Sequence, residues 1–114
     1  MDRLDKLLSS IIQFRDERDW KQFHTPENLA KSISIEAGEL LEHFQWGDVA
    51  KKEDIADELA DVLIYSLLLA DTLGVDVSDI INKKIESNKK RFPIDKVKGN
   101  SGKHTKVSET SKND

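Results

Sequence analysis

Two acidic pairs, Glu36/Glu39 and Glu58/Asp61, are the residues of this 114-residue chain whose spacing could do chemistry. Each lies in apolar sequence, and residues three apart on an α-helix share a face, one turn above each other. Each pair therefore presents two carboxylates from one helix, and the break around Gly47–Asp48 lets the second helix fold back on the first. Antiparallel packing would bring the four carboxylates onto one small volume. Such a cluster repels itself unless protons or a cation neutralise it. An oxygen-only donor set suits Mg²⁺ or Mn²⁺. Glu36 also falls between Ile33 and Leu40 on nearly one face, beside the expected core. A carboxylate there is costly unless it is paired or metal-bound. Ordinary surface acids are the competing reading, because E-x-x-E and E-x-x-D are frequent in helices. Asp54, Asp57 and Glu42 extend the acidic rows and are assigned to helix-dipole or solvated roles.

The elements that must position these groups are helical throughout, and the spacing predicts an all-α, four-helix bundle-type fold. Leu4, Leu7, Leu8, Ile11 and Ile12 mark a stripe over 2–19. Thr25-Pro26-Glu27 is a helix start, with a hydroxyl cap, a proline and an acid in order. The second helix is expected over 26–45, burying Leu29, Ile33, Leu40 and Phe44 with Ala30, Ala37 and Leu41. Gly38 leaves room for a close neighbour, and Gly47 ends the helix. The third helix, over 50–73, is apolar almost all round from Leu59 to Ala70, with Gly74 as its cap. One small chain offers too little to enclose it, so a second subunit is expected to cover part of it. The fourth helix, from about 78 to 91, turns Val77, Ile80, Ile81 and Ile85 inward. Residues 1–93 form the helical domain. The polar tail, 94–114, has little to bury and is expected to be at least partly disordered.

Composition removes several function classes. The net charge is −4, but residues 36–61 hold 9 acids against Lys51 and Lys52. That patch repels a phosphodiester backbone, so no nucleic-acid polymer is expected as a partner. Cysteine is absent, which excludes disulfides and thiolate metal sites. The longest apolar run, Val62–Ala70, is too short to span a bilayer, and no leader is recognised. A cytoplasmic protein with no membrane partner is the expectation.

Trp20, Trp46 and Tyr65 are the aromatics placed near the acidic helices, where they could stack on a nucleobase or serve as buried anchors. Lys84, Asn88 and Arg91 follow i, i+4, i+7 and share a face of the fourth helix, although basic residues at a helix end commonly answer only its dipole. His24 and His43 are isolated and are expected to cap helices or face solvent.

E36-A-G-E39 followed by E58-L-A-D61 resembles the signature of the all-α nucleoside triphosphate pyrophosphohydrolases, the MazG-like group. The likeness is closest to its dCTP pyrophosphatase branch. It also runs through R15-D-E-R-D-W-K-Q-F-H-T-P-E-N-L, G38-E-L-L-E-H-F-Q-W46, D57-E-L-A-D-V-L-I-Y65, N88-K-K-R-F-P93 and S101-G-K-H-T105. The resemblance implies hydrolysis of a (d)NTP, dCTP or a modified dCTP among them, to the monophosphate and pyrophosphate, in nucleotide-pool house-cleaning. By position, it makes Glu36, Glu39, Glu58 and Asp61 ligands of Mg²⁺, for which Mn²⁺ could substitute. Glu39, with Glu36, would be the catalytic carboxylate. Trp20, Trp46 and Tyr65 would line the base and sugar pocket. Lys84, Asn88 and Arg91 would contact the triphosphate. A homodimer or homotetramer is implied. Ile11 stands where the branch carries a pocket histidine, which leaves the preferred base open. Two rival readings compete. A ferritin-like di-iron site wants Glu-x-x-His on two helices, and the third helix has no histidine. A non-catalytic α-helical interaction or regulatory module would leave the acids as a surface patch.

Overall fold

The computed structural model describes residues 2–47 and 50–99, and every described element is helical. In chain order these are α1 (Arg3–Glu17), a 3-10 turn (Lys21–Phe23), α2 (Pro26–Glu42), α3 (Lys52–Leu73), α4 (Val77–Arg91) and the short α5 (Ile94–Val97). The chain forms two compact units, Met1–Val75 and Asp76 onward. Among the described residues no helix is long and apolar enough to cross a membrane.

The caps explain where the helices begin. Asp2 accepts from the Asp5 amide at 2.8 Å, Thr25 from Asn28 at 3.1 Å and Asp76 from Asp79 at 2.9 Å. Each supplies one acceptor to an amide that the helix itself leaves unpaired. Pro26 follows Thr25 at the first helical position, as the sequence predicts. α3 stops at Gly74, whose φ of 70° is the left-handed conformation that a Cβ would strain.

α2 ends at Glu42, not at Gly47 as expected. Phe44 and Gln45 donate three residues back, to Leu41 and Glu42, so the helix tightens into a turn before the glycine is reached. Phe44, Leu41, Ala30 and Ala37 are exposed rather than core. Among the described residues nothing lies within 4 Å of a Cβ built on Gly38, so no close neighbour there accounts for that glycine. α5 places regular structure at the start of the tail, whose later residues lie outside those described.

In the first unit α2 and α3 run antiparallel. Thr72, near the end of α3, donates to the His24 carbonyl just before α2, while His43 at the end of α2 meets Glu58 near the start of α3. The core takes one residue from each helix, Ile11, Leu29 and Leu68, with Ile64, Tyr65, Leu67 and Leu69 packed against it. Leu29 is only 1% exposed. Leu59, Leu63 and Leu73 of α3 remain exposed in the single chain. In the second unit Val77 is half-buried, whereas Ile80, Ile81 and Ile85 are exposed and not turned inward as expected. Helices this few cannot cover every apolar stripe they carry.

A buried charge ties α1 to α3. Arg15 is 2% exposed, and its guanidinium donates to Asp16 at 2.9 Å and to Asp71 at 2.8 Å. Its carbonyl accepts from the amides of Arg18 and Trp20, so the same residue also fixes the exit from α1. Breaking a buried pair costs about 3–5 kcal/mol, and part-exposed Asp71 can rehydrate, so Arg15→Met should lower unfolding free energy by about 3 kcal/mol. Urea titration followed by circular dichroism measures this loss.

Candidate functional site

α2 and α3 bring Glu36, Glu58 and Asp61 together. One oxygen from each lies within 4.8 Å of the others, and all three residues are half-buried. The spacing within E-L-A-D places Glu58 and Asp61 on one face of α3, and the antiparallel pairing sets Glu36 opposite them. Glu39 is exposed and stands outside this group of three, although its charge reaches both Glu36 and Glu58.

The electrostatics record the crowding. Burial pushes the Glu36 carboxyl up to about 7, with Glu39, Asp61 and Glu58 adding to the rise. Burial also raises the Glu58 carboxyl, again with help from Glu39, while Glu36 and His43 act in the opposite direction. The Oε2 atom of Glu36 is buried with no hydrogen-bond partner. An orphaned carboxylate oxygen beside two further carboxylates is the donor arrangement that a small hard cation would satisfy. The residues present therefore fit a divalent cation, with Glu36, Glu58 and Asp61 able to hold it.

The aromatic candidates are not assembled with one another. Trp20 follows Asp19, which takes a left-handed φ of 53°, and its amide donates to the Arg15 carbonyl at 3.1 Å. Its ring meets Phe14 edge-on at 5.7 Å, and the Arg18 guanidinium lies 3.8 Å from the Phe14 centroid. Tyr65 is half-buried against the core, one turn after Asp61. Trp46 is 80% exposed beyond the end of α2. Among the described residues no ring contact joins any two of these three.

Lys84, Asn88 and Arg91 lie on α4 in the second unit and keep their helical register there. Lys84 is exposed, while Asn88 and Arg91 are half-buried. The Nε of Arg91 is buried without a hydrogen-bond partner, and its guanidinium lies 5.6 Å from the Phe92 ring centroid.

Both described histidines are caps, one of the roles expected of them, but each does more than cap. His24 ends the 3-10 turn with its Nδ1 buried and unpaired, and burial followed by the Arg15 charge lowers its pKa. His43 caps α2 and places Nε2 3.8 Å from Glu58 Oε1. The sequence reading treated His43 as isolated. Its place seven residues after Glu36 and four after Glu39 was the available signal, since those offsets share one face.

In the cation-free protein the raised Glu36 carboxyl gives stability a definite slope. Between its ordinary value of 4.5 and about 7, the folded state holds a proton that the unfolded chain has released. Unfolding free energy therefore falls as pH rises through that window, the stabilisation being complete below it and lost above. With a chelator present, the Tm should drop by several degrees between pH ~5 and ~8, and Glu36→Gln should remove most of that drop. Thermal melts of both proteins across the range check it.

Comparisons with known proteins agree with this geometry. The MazG-like family matches residues 31–107. The chain is 40% identical over 103 residues to dCTP pyrophosphatase 1 of Rattus norvegicus, covering 82% of this chain and 61% of the rat protein. It is 36% identical over 105 residues to dCTP pyrophosphatase 1 of Homo sapiens, covering 83% and 62%. The match thus spans about three-fifths of those relatives' own length. The crystal structure of a pyrophosphatase from Archaeoglobus fulgidus superposes with a TM-score of 0.76 at 39% identity, covering 82% of this chain and 94% of that one. This chain belongs to the MazG-like family, close to its dCTP pyrophosphatase branch.

Proposed function

We propose that the protein is a divalent-cation-dependent nucleoside triphosphate pyrophosphohydrolase, converting a (d)NTP and water to the monophosphate and pyrophosphate. The observation that carries this reading is the convergence of Glu36, Glu58 and Asp61, with one Glu36 oxygen buried and unpartnered. The similarity to dCTP pyrophosphatases supports the substrate class and makes dCTP or a modified dCTP the first to try.

Glu36, Glu58 and Asp61 would hold Mg²⁺ or Mn²⁺, with Glu39 beside them. A cation bound there supplies neutralisation of the triphosphate charge and polarisation of the phosphoryl oxygens. Without it, an acidic site and an acidic substrate repel each other. Glu39 is exposed and stands outside the tight group, so it is the carboxylate free to accept a proton from the attacking water. Water oxygen bonds to phosphorus, the bridging α–β anhydride bond breaks, and its electron pair leaves with pyrophosphate. Trp20, Trp46 and Tyr65 offer faces for the base and sugar, and Lys84, Asn88 and Arg91 offer donors for the triphosphate.

Leu59, Leu63 and Leu73, exposed on one helix, are where a second subunit would pack in the proposed homodimer or homotetramer. The nucleotide pool that such an enzyme would serve assigns it to the cytoplasm.

Two measurements test the reading. Incubation with a panel of common and 5-modified dNTPs and NTPs plus Mg²⁺ should yield monophosphate and pyrophosphate, and a chelator should abolish turnover. Glu36→Ala or Asp61→Ala should lower kcat by at least about 100-fold, beyond the ~10–100-fold typical of groups that only orient a ligand. No turnover by folded protein would transfer the assignment to a non-catalytic interaction module. Light scattering should give at least twice the mass of one chain.

A further inference from the structure

His43 is the side chain near the acidic cluster to which the proposed reaction gives no role. It follows Glu36 and Glu39 on the same face of α2, and its Nε2 reaches across to Glu58 Oε1 on α3 at 3.8 Å. The His43 and Glu58 side chains are only 25% and 22% exposed, so the contact lies partly out of water. Among the described residues, His43 is the only basic side chain in ion-pair range of Glu36, Glu58 or Asp61. Glu39 and Glu36 also act on Glu58, Glu36 in the same direction as His43, but both are acids that only accept once ionised, whereas the imidazole keeps an N–H in either state.

We propose that His43 is a positioning residue for Glu58, presenting its Nε2–H to one carboxylate oxygen so that the other faces Glu36 and Asp61. This rests on the cation-site reading and deepens it. A separation of 3.8 Å is ion-pair contact rather than a formed hydrogen bond. The contact nevertheless sets which side of the Glu58 carboxylate sees a donor and which sees the other acids. Three half-buried carboxylates free to rotate would splay apart under their own repulsion. A donor on the far side of one of them opposes that rotation, as partners behind a ligand commonly do. Both the imidazolium and the Nε2–H tautomer donate, so the role does not depend on the charge of the ring.

The capping role of His43 is separable from this one. Its backbone amide makes the cap, donating to the Leu40 carbonyl at 3.3 Å, and leucine, asparagine and glutamine all retain that amide. Side-chain variants therefore probe the cross-helix contact alone. Glutamine places an amide N–H near the position of Nε2, whereas asparagine falls short and leucine carries no donor.

The experiment is a titration of the full chain with Mn²⁺, free ion being read by electron paramagnetic resonance, at one fixed pH. Wild type, His43→Leu, His43→Asn and His43→Gln are compared, with circular dichroism melts without metal to confirm folding. The proposal expects Leu and Asn to weaken Mn²⁺ binding on the order of tenfold and Gln to restore most of it. Unchanged or tighter binding in folded His43→Leu and His43→Asn would overturn it while leaving the cation site intact. Failure of folded wild-type protein to bind Mn²⁺ would instead remove the cation-site reading, and the role of His43 with it. His43→Asn keeps the inference falsifiable should the leucine variant unfold.

Discussion

Three carboxylates that repel one another are held together by the packing of α2 against α3, and much of the first unit follows from that opposition. The Glu36 oxygen has neither solvent nor a donor, and its carboxyl holds its proton to about 7. A protein that only needed stability would place a leucine there. A helix pair that concentrates negative charge this way keeps a local cost that a ligand can relieve. A small cation is the kind of group that could supply that relief, since His43 reaches Glu58 and leaves the Glu36 oxygen unpartnered.

The forces holding that arrangement are modest. The core is a single layer, with Ile11, Leu29 and Leu68 meeting at its centre. Arg15 supplements it by fastening the end of α1 to Asp71 of α3. A buried ion pair adds little net stability over an apolar equivalent. This one supplies geometry: the same residue's carbonyl holds the Trp20 amide, and Asp19 adopts a left-handed conformation to bring the chain round. Position of the aromatic loop and attachment of α1 are thus one structural decision.

What the sequence made legible divides along physical lines. Helix identity, the Thr25–Pro26 start and the Gly74 stop were readable because caps and periodicity are local. Convergence of Glu36, Glu58 and Asp61, three of the four carboxylates expected to meet, was readable because two i, i+3 pairs on neighbouring helices have few ways to pack, while Glu39 stays outside the group. The end of α2 was not, since the i→i−3 bonds made by Phe44 and Gln45 replace continued helix there, and no cap residue at Glu42 announces it. Burial was read less well still. Phe44, Leu41 and Ile81 have the right periodicity for a core but remain exposed, because periodicity selects a face without saying what covers it. The role open to His43 was hidden for a related reason: its partner is on another helix, and only the pairing of α2 with α3 brings them together.

Glu36 and Glu39 show how one turn of helix can separate two environments. They are the same residue type, three positions apart, in one acidic field. Glu36 faces α3, loses solvent and joins the tight group, while Glu39 stays exposed at its margin. A carboxylate surrounded by other carboxylates is suited to hold a cation and poorly suited to release a proton at neutral pH. One at the margin keeps an oxygen for water and can exchange protons with solvent. The proposed division into ligand and base rests on that difference in environment, not on residue type.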